Sequence, residues 1–176
     1  MNDYTEIKTE LKKSLKPERY EHTLYTQKEA IKLAQRYNID KEKASLSALL
    51  HDCAKNIDPK EAIKLINDFG YEADEIMLNN HALLHGLAGS ILAKEKYGIT
   101  DPQMLNAIRY HTTGRENMTA LEKIIFLADV IEESRNYEGV EEIRKLAYED
   151  LDKAMILSLS RTVILIANKG KLLHLD

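Results

Sequence analysis

The chain has 176 residues, 31% of them charged and 44% hydrophobic, which suits one domain (residues 1–176) able to bury a core. Its longest apolar runs, Ile124–Ala128 and Val163–Ala167, are far too short to cross a bilayer, and the mixed-charge start MNDYTEIKTELKK lacks the apolar stretch of a signal peptide. A net charge of −4 argues against a broad nucleic-acid surface, and the lone Cys53 excludes an internal disulfide, so the expectation is a cytoplasmic protein with no membrane or nucleic-acid partner.

The spacing of apolar residues predicts helices throughout, and no segment alternates with period two for long enough to form a strand. The expected fold class is all-α. Helices are expected over 3–14 and 18–37, with Pro17 as a first helical residue and Leu24, Ile31 and Ala34 on one face. A third spans 41–54. The next, 59–69, opens on Asp58 as N-cap, with Pro59 first and Glu61 in capping-box register, and stops at Gly70. Helices at 72–79 and 82–97 follow, the second ending at Gly98; Asp101 and Pro102 then open 102–111. Thr119 and Glu122 form a capping box before 120–134, and helices at 139–148 and 151–168 precede Gly170.

Six histidines fall along these elements: His22, His51, His81, His85, His111 and His174. Only His51 is followed by Asp. That pair, in ASLSALLHDCAKNID, stands on the last turn of an apolar helix, where an imidazole and a carboxylate can reach one divalent ion. Asp129 lies on a helix that otherwise reads IIFLA. A buried carboxylate there needs a cation or a donor, which a shared metal would supply.

Five segments carry a more specific signal: ERYEHT (Glu18–Thr23), LLHDCAK (Leu49–Lys55), LLHG (Leu83–Gly86), RYHTTGR (Arg109–Arg115) and ADVIEESR (Ala128–Arg135). In this order they resemble the HD superfamily, a helical-bundle scaffold, and within it the bacterial YqeK family of symmetrical diadenosine tetraphosphate hydrolases. The resemblance covers nearly the whole chain. It implies that His22, His51, Asp52 and Asp129 hold one metal and that His85 and His111 complete a second, a di-iron centre in family members, with manganese as the other candidate. Asp52, His51, His85 and His111 then form the catalytic centre. His81 falls off the motif, and His174 is expected to be non-catalytic.

Four neutral imidazoles and two carboxylates facing two divalent ions would leave an excess of positive charge, which suits a polyphosphate. Metal ions of this kind polarise phosphoryl oxygens and acidify water. Arg19, Lys55, Arg115 and Arg135 are candidate phosphate ligands, as are the Thr112 and Thr113 hydroxyls, beside His22, His85, His111 and Asp129. Glu133 departs from the family pattern, which commonly carries proline at that place. The implied reaction splits a dinucleoside tetraphosphate into two nucleoside diphosphates. The alternatives are an HD-type nucleotidase acting on single nucleotides and a regulator that binds metal or nucleotide without catalysis. The sequence leaves room for a homodimer.

Overall fold

A computed structural model describes residues 4–174. Among the described residues there are ten α-helices, one 3₁₀ turn and no strand, which bears out the all-α expectation. The sequence places the first helix from residue 3, which lies outside the described residues; α1 spans Thr5–Ser14. α2 (Pro17–Arg36) and α3 (Lys41–Leu50) form a packed pair, and α4 (Pro59–Asp68) and the short α5 (Glu75–Asn79) follow. The 3₁₀ turn His81–Leu83 feeds α6 (Leu84–Glu95), and α7 (Pro102–Arg109) packs on it. α8 (Ala120–Ile131), α9 (Val140–Glu149) and α10 (Leu151–Asn168) complete the chain.

α8 explains its own sequence. It packs against α2, α3, α7, α9 and α10, so Ile124, Ile125, Phe126, Leu127 and Ala128 are buried on every side rather than along one stripe. α7 and α9 lie nearer the surface and keep a stripe instead: Met104, Ala107 and Ile108 in one, Val140, Ile143 and Ala147 in the other. Leu33, Leu49 and Leu50 are fully buried where α2 meets α3, each contributing about 1.5–3 kcal/mol from its transfer out of water. A smaller apolar cluster joins Ala62 and Ile66 of α4 to Leu84, Leu87, Ala88 and Ile91 of α6. α10 buries Leu151, Ala154 and Met155 and then leaves Ile164 and Leu165 exposed.

Local capping chemistry sets several boundaries. Pro17, Pro59 and Pro102 stand at helix starts, and the Asp58 and Asp101 side chains accept from the Lys60 and Gln103 amides. The Thr119–Glu122 capping box is complete, whereas Asp58 caps through Lys60 without the reciprocal bond expected from Glu61. Gly70, Gly98 and Gly170 take the left-handed conformation that ends a helix.

Several boundaries differ from expectation by a few residues, and four of the differences have a visible cause. The Asp74 carboxylate accepts from Met77 N, so α5 begins later than residue 72. Helix 82–97 is shorter at its start, because the 3₁₀ turn carries residues 81–83. The segment 41–54 leaves α-helix after Leu50 and tightens, with Cys53 N donating to Leu50 O and Lys55 N to Asp52 O. Helix 120–134 stops at Ile131 because Glu132 turns to φ −52°, ψ 161°. Its carboxylate accepts from both the amide and the hydroxyl of Ser134 at 2.6 Å. The last two departures sit at the site.

Candidate metal centre

Four imidazoles converge where α2, the turn after α3, the start of α6 and the turn after α7 meet the end of α8. His51, Asp52, His85, His111 and His22 are all buried to 6% exposure or less. Gly86 makes this approach possible: a Cβ there would lie 2.5 Å from the Arg109 carbonyl oxygen, so only glycine lets α6 seat this closely on the end of α7. His85 and His111 thereby face each other, their Nε2 atoms 3.0 Å apart.

The tautomers follow from the partners. His51 Nδ1 lies 2.6 Å from Ala48 O, His111 Nδ1 2.7 Å from Ile108 O, and His85 Nδ1 contacts Ala82 O. A carbonyl oxygen only accepts, so each Nδ1 carries the proton and each Nε2 presents a lone pair to the centre. His22 Nδ1 donates in the same way to the Glu132 carboxylate at 3.1 Å. Such an outer partner fixes a ligand ring and raises its basicity.

The carboxylates complete two ligand sets. His22 Nε2 lies 2.9 Å from Asp129 Oδ1, and His51 Nε2 lies 4.0 Å from the same oxygen. His51, Asp52 and His111 form the second group close enough to share an ion. Asp52 stands between the groups rather than in the first alone. Its Oδ2 is 3.5 Å from His51 Nε2 and 3.9 Å from His22 Nε2, while its Oδ1 is 3.1 Å from His85 Nε2 and 3.7 Å from His111 Nε2.

These residues fit metal ions on their own geometry. The buried His51 Nε2 and Asp52 Oδ1 find no hydrogen-bond partner. With both protons on Nδ1, the His85 and His111 lone pairs point at one another across 3.0 Å, an arrangement that a shared cation relieves. The site therefore could hold metal, in two neighbouring groups.

Cationic side chains ring the carboxylates. Arg19 donates to Asp52 Oδ2 at 2.9 Å. Arg135 donates to Asp129 Oδ1 at 2.6 Å and, through Nε, to the Asp129 backbone oxygen at 2.8 Å. Lys55 Nζ lies 3.6 Å from Asp52 Oδ1 and 3.1 Å from His85 Nε2. Burial favours neutral forms here, pushing His85 down to about 4 and lowering Lys55. Burial would also raise Asp52, but His51, His111 and His85 hold it well below the usual carboxylate range. Asp129 is likewise lowered against its burial, chiefly by His22, His51, His111 and Arg135. Both carboxylates are thus held ionised and His85 neutral, as ligation requires of these three, while against its burial Asp52 and Asp129 pull His51 upward.

The remaining sequence candidates are placed less uniformly. Thr112 Oγ1 reaches His111 Nε2 at 3.1 Å and His85 Nε2 at 3.3 Å. Thr113 instead donates to Gly114 O. Arg115 gives its Nε and Nη2 to the buried Glu122 carboxylate at 3.1 and 2.8 Å, and it lines a neighbouring cleft with Thr112 and Thr113. His81 is exposed, and His174 pairs with Asp74 at 2.7 Å. Glu132 is the member that motif spacing missed. Its signal was an acidic residue one turn past Asp129, closing an apolar helix.

The HD domain family model matches residues 19–134, from the first phosphate candidate to just past the Glu132 partner of His22. The chain is 43% identical to the symmetrical bis(5'-nucleosyl)-tetraphosphatase of Halalkalibacterium halodurans, over 94% of this chain and 88% of that one. It is 40% identical to the enzyme of the same name from Bacillus subtilis, over 92% and 86%. The crystal structure of a Clostridium acetobutylicum protein described as a predicted HD superfamily hydrolase involved in NAD metabolism superposes with a TM-score of 0.95 at 46% identity, covering 99% of this chain and 92% of that one. The chain belongs to the HD-domain family and, within it, to the family of the symmetrical bis(5'-nucleosyl)-tetraphosphatases.

Proposed function

We propose that this chain, acting as one domain, hydrolyses dinucleoside tetraphosphates such as diadenosine tetraphosphate into two nucleoside diphosphates. The carrying observation is the pair of ligand groups that share His51, with Asp52 beside both and with Arg19, Lys55 and Arg135 set around them. A monophosphate needs fewer cations, whereas a four-phosphate bridge can occupy all three.

His22, His51 and Asp129 would hold one ion, His85 and His111 the other, with Asp52 between them. When bound, the ions supply Lewis-acid polarisation of the phosphoryl oxygens and acidify water. Iron, with manganese as alternative, suits this imidazole- and carboxylate-rich set. Cys53 takes no part: its thiol points to Gly89 O, and burial pushes it up to about 12. The protein's own contribution is to bind and orient. Arg19 and Arg135 would offer a phosphate the guanidinium N–H groups not already given to Asp52 and Asp129, and Lys55 adds a point charge. Thr112 offers a hydroxyl at the His85–His111 edge. The reaction transfers a phosphoryl group to water, breaking one P–O bond of the bridge and releasing a nucleoside diphosphate. The tightly fixed rings and carboxylates hold the reacting phosphorus in register, where such positioning carries much of the rate.

No described helix is long and apolar enough to cross a membrane. The test is a substrate panel. Metal-supplied protein should consume diadenosine tetraphosphate and leave AMP and ATP nearly untouched. Rapid phosphate release from mononucleotides beside intact diadenosine tetraphosphate would transfer the assignment to a nucleotidase.

A further inference from the structure

A cleft of about 680 Å³ opens beside the metal centre between α8, α9 and α10. Its floor is apolar: Val130, Ile143 and Leu165. Tyr137 stands at the rim, half-exposed, with its hydroxyl donating to Val130 O at 2.8 Å, which holds the phenol in place. Arg161 closes one wall and is already committed, donating to Gly139 O at 2.6 Å and pairing with Glu142. Gly139 suits this wall, because its φ of +85° is a conformation other residues rarely adopt and the Arg161 guanidinium lies against it. The wall is thereby neutralised. The polar features left are Ser158, Thr162 and the Glu138 carboxylate.

One end of this cleft is Arg135, the same residue whose guanidinium lies 2.6 Å from Asp129. The cleft and the metal centre therefore share Arg135. A second cleft, about 340 Å³, runs along the adjacent face of α10 and reaches the centre at Thr112; Thr162 is the ridge that both share. The two clefts approach the His/Asp cluster through different residues, Arg135 beside Asp129 and Thr112 beside His85 and His111.

We propose that the Arg135-side cleft is a nucleoside-binding site, seating the base and ribose of one half of a dinucleoside polyphosphate while Arg135 takes the adjoining phosphate. This rests on the function proposed above. The volume falls within the range of small-molecule sites, and an apolar floor with few polar groups is the usual lining of one. A flat base packs on Val130, Ile143 and Leu165 with its edge against Tyr137, and Glu138 accepts from a ribose hydroxyl or a base amino group. A substrate with one nucleoside at each end of four phosphates then needs this cleft as well as the Thr112-side opening.

The chain contains no tryptophan, so Tyr137→Trp makes a unique fluorescent reporter at the rim. The probe is a diadenosine tetraphosphate analogue with methylene in place of the central bridging oxygen, compared with inorganic tripolyphosphate. The analogue should quench the tryptophan saturably and tripolyphosphate should not. Leu165→Asp changes an exposed position, so the fold should hold, and it sets a charge on the floor. In the reporter background it should weaken the quench about tenfold, and in the wild-type background raise KM for diadenosine tetraphosphate by about the same factor with kcat retained. Equal quenching by both probes, or an unchanged KM in Leu165→Asp, would overturn the cleft assignment. Saturable quenching of the Tyr137→Trp protein by the analogue, beside wild-type protein that leaves diadenosine tetraphosphate uncut, would keep the cleft and overturn the proposed reaction.

Discussion

Gly86→Ala tests the link between backbone approach and chemistry. The added Cβ would sit 2.5 Å from the Arg109 carbonyl oxygen and 3.4 Å from its carbon. Restoring an ordinary contact requires α6 and the end of α7 to part by about 1 Å. Overpacking of this kind costs about 1–3 kcal/mol, and alanine returns about 1 kcal/mol through its helix propensity. The net loss of stability is therefore about 0–2 kcal/mol, or a fall in Tm of a few degrees for a chain of this size. The effect on the site is larger. His85 and Arg109 move with their helices, so the 3.0 Å approach of His85 to His111 opens, and a misplacement of about 1 Å can cost 100-fold in rate. Gly89→Ala is the matched control on the same helix, where a Cβ meets His51 O and Ile108 Cγ2 at an ordinary 3.5 Å. Calorimetry, elemental analysis and turnover should show Gly86→Ala nearly as stable as wild type but depleted in metal and slow, with Gly89→Ala normal in all three. A Gly86→Ala protein with full metal and wild-type turnover would refute the reasoning.

Asp52→Ala should abolish metal retention and turnover while leaving the helical circular dichroism spectrum intact, because the carboxylate lies between both ligand groups; near-normal activity with metal present would remove Asp52 from the site. Glu132→Gln should keep the fold and lower metal affinity about 10–100-fold, read by competition with a chelating dye, since the His22 Nδ1 proton loses its charged acceptor. His85→Ala should be severe and the exposed His81→Ala mild; the reverse ranking would place the wrong histidine of HALLH in the centre.

What was legible in the sequence was local or motif-borne. A cap is contained in three or four residues, so Asp101–Pro102 and Thr119–Glu122 could be placed from the chain alone. The six candidate ligands also converge, since each stands near the end or start of a helix whose apolar face is plain. What escaped depends on tertiary contact. The turn after Leu50 tightens where His51 and Asp52 enter the centre, and no local residue signals that. Asp52 therefore looked like a ligand of one ion, and its place between two groups appeared only with α6 and α7 packed. Glu132 was invisible as a partner because helix 120–134 reads as continuous, and its break exists only once Ser134 and His22 draw the carboxylate inward. Arg115 carries the charge a phosphate site wants, yet the buried Glu122, apparent in sequence only as a capping residue, takes its guanidinium. Where Arg19, Arg135 and Lys55 differ from it is in having Asp52 or Asp129 as the nearest carboxylate.

The position of the broken bond tests the central claim most directly. Metal-supplied protein is given diadenosine tetraphosphate, and the early products are separated by anion-exchange chromatography. Phosphates gripped on both sides of the reacting phosphorus set the cut at the middle of the bridge, so ADP should be the sole nucleotide product. AMP and ATP in equal amounts would contradict it.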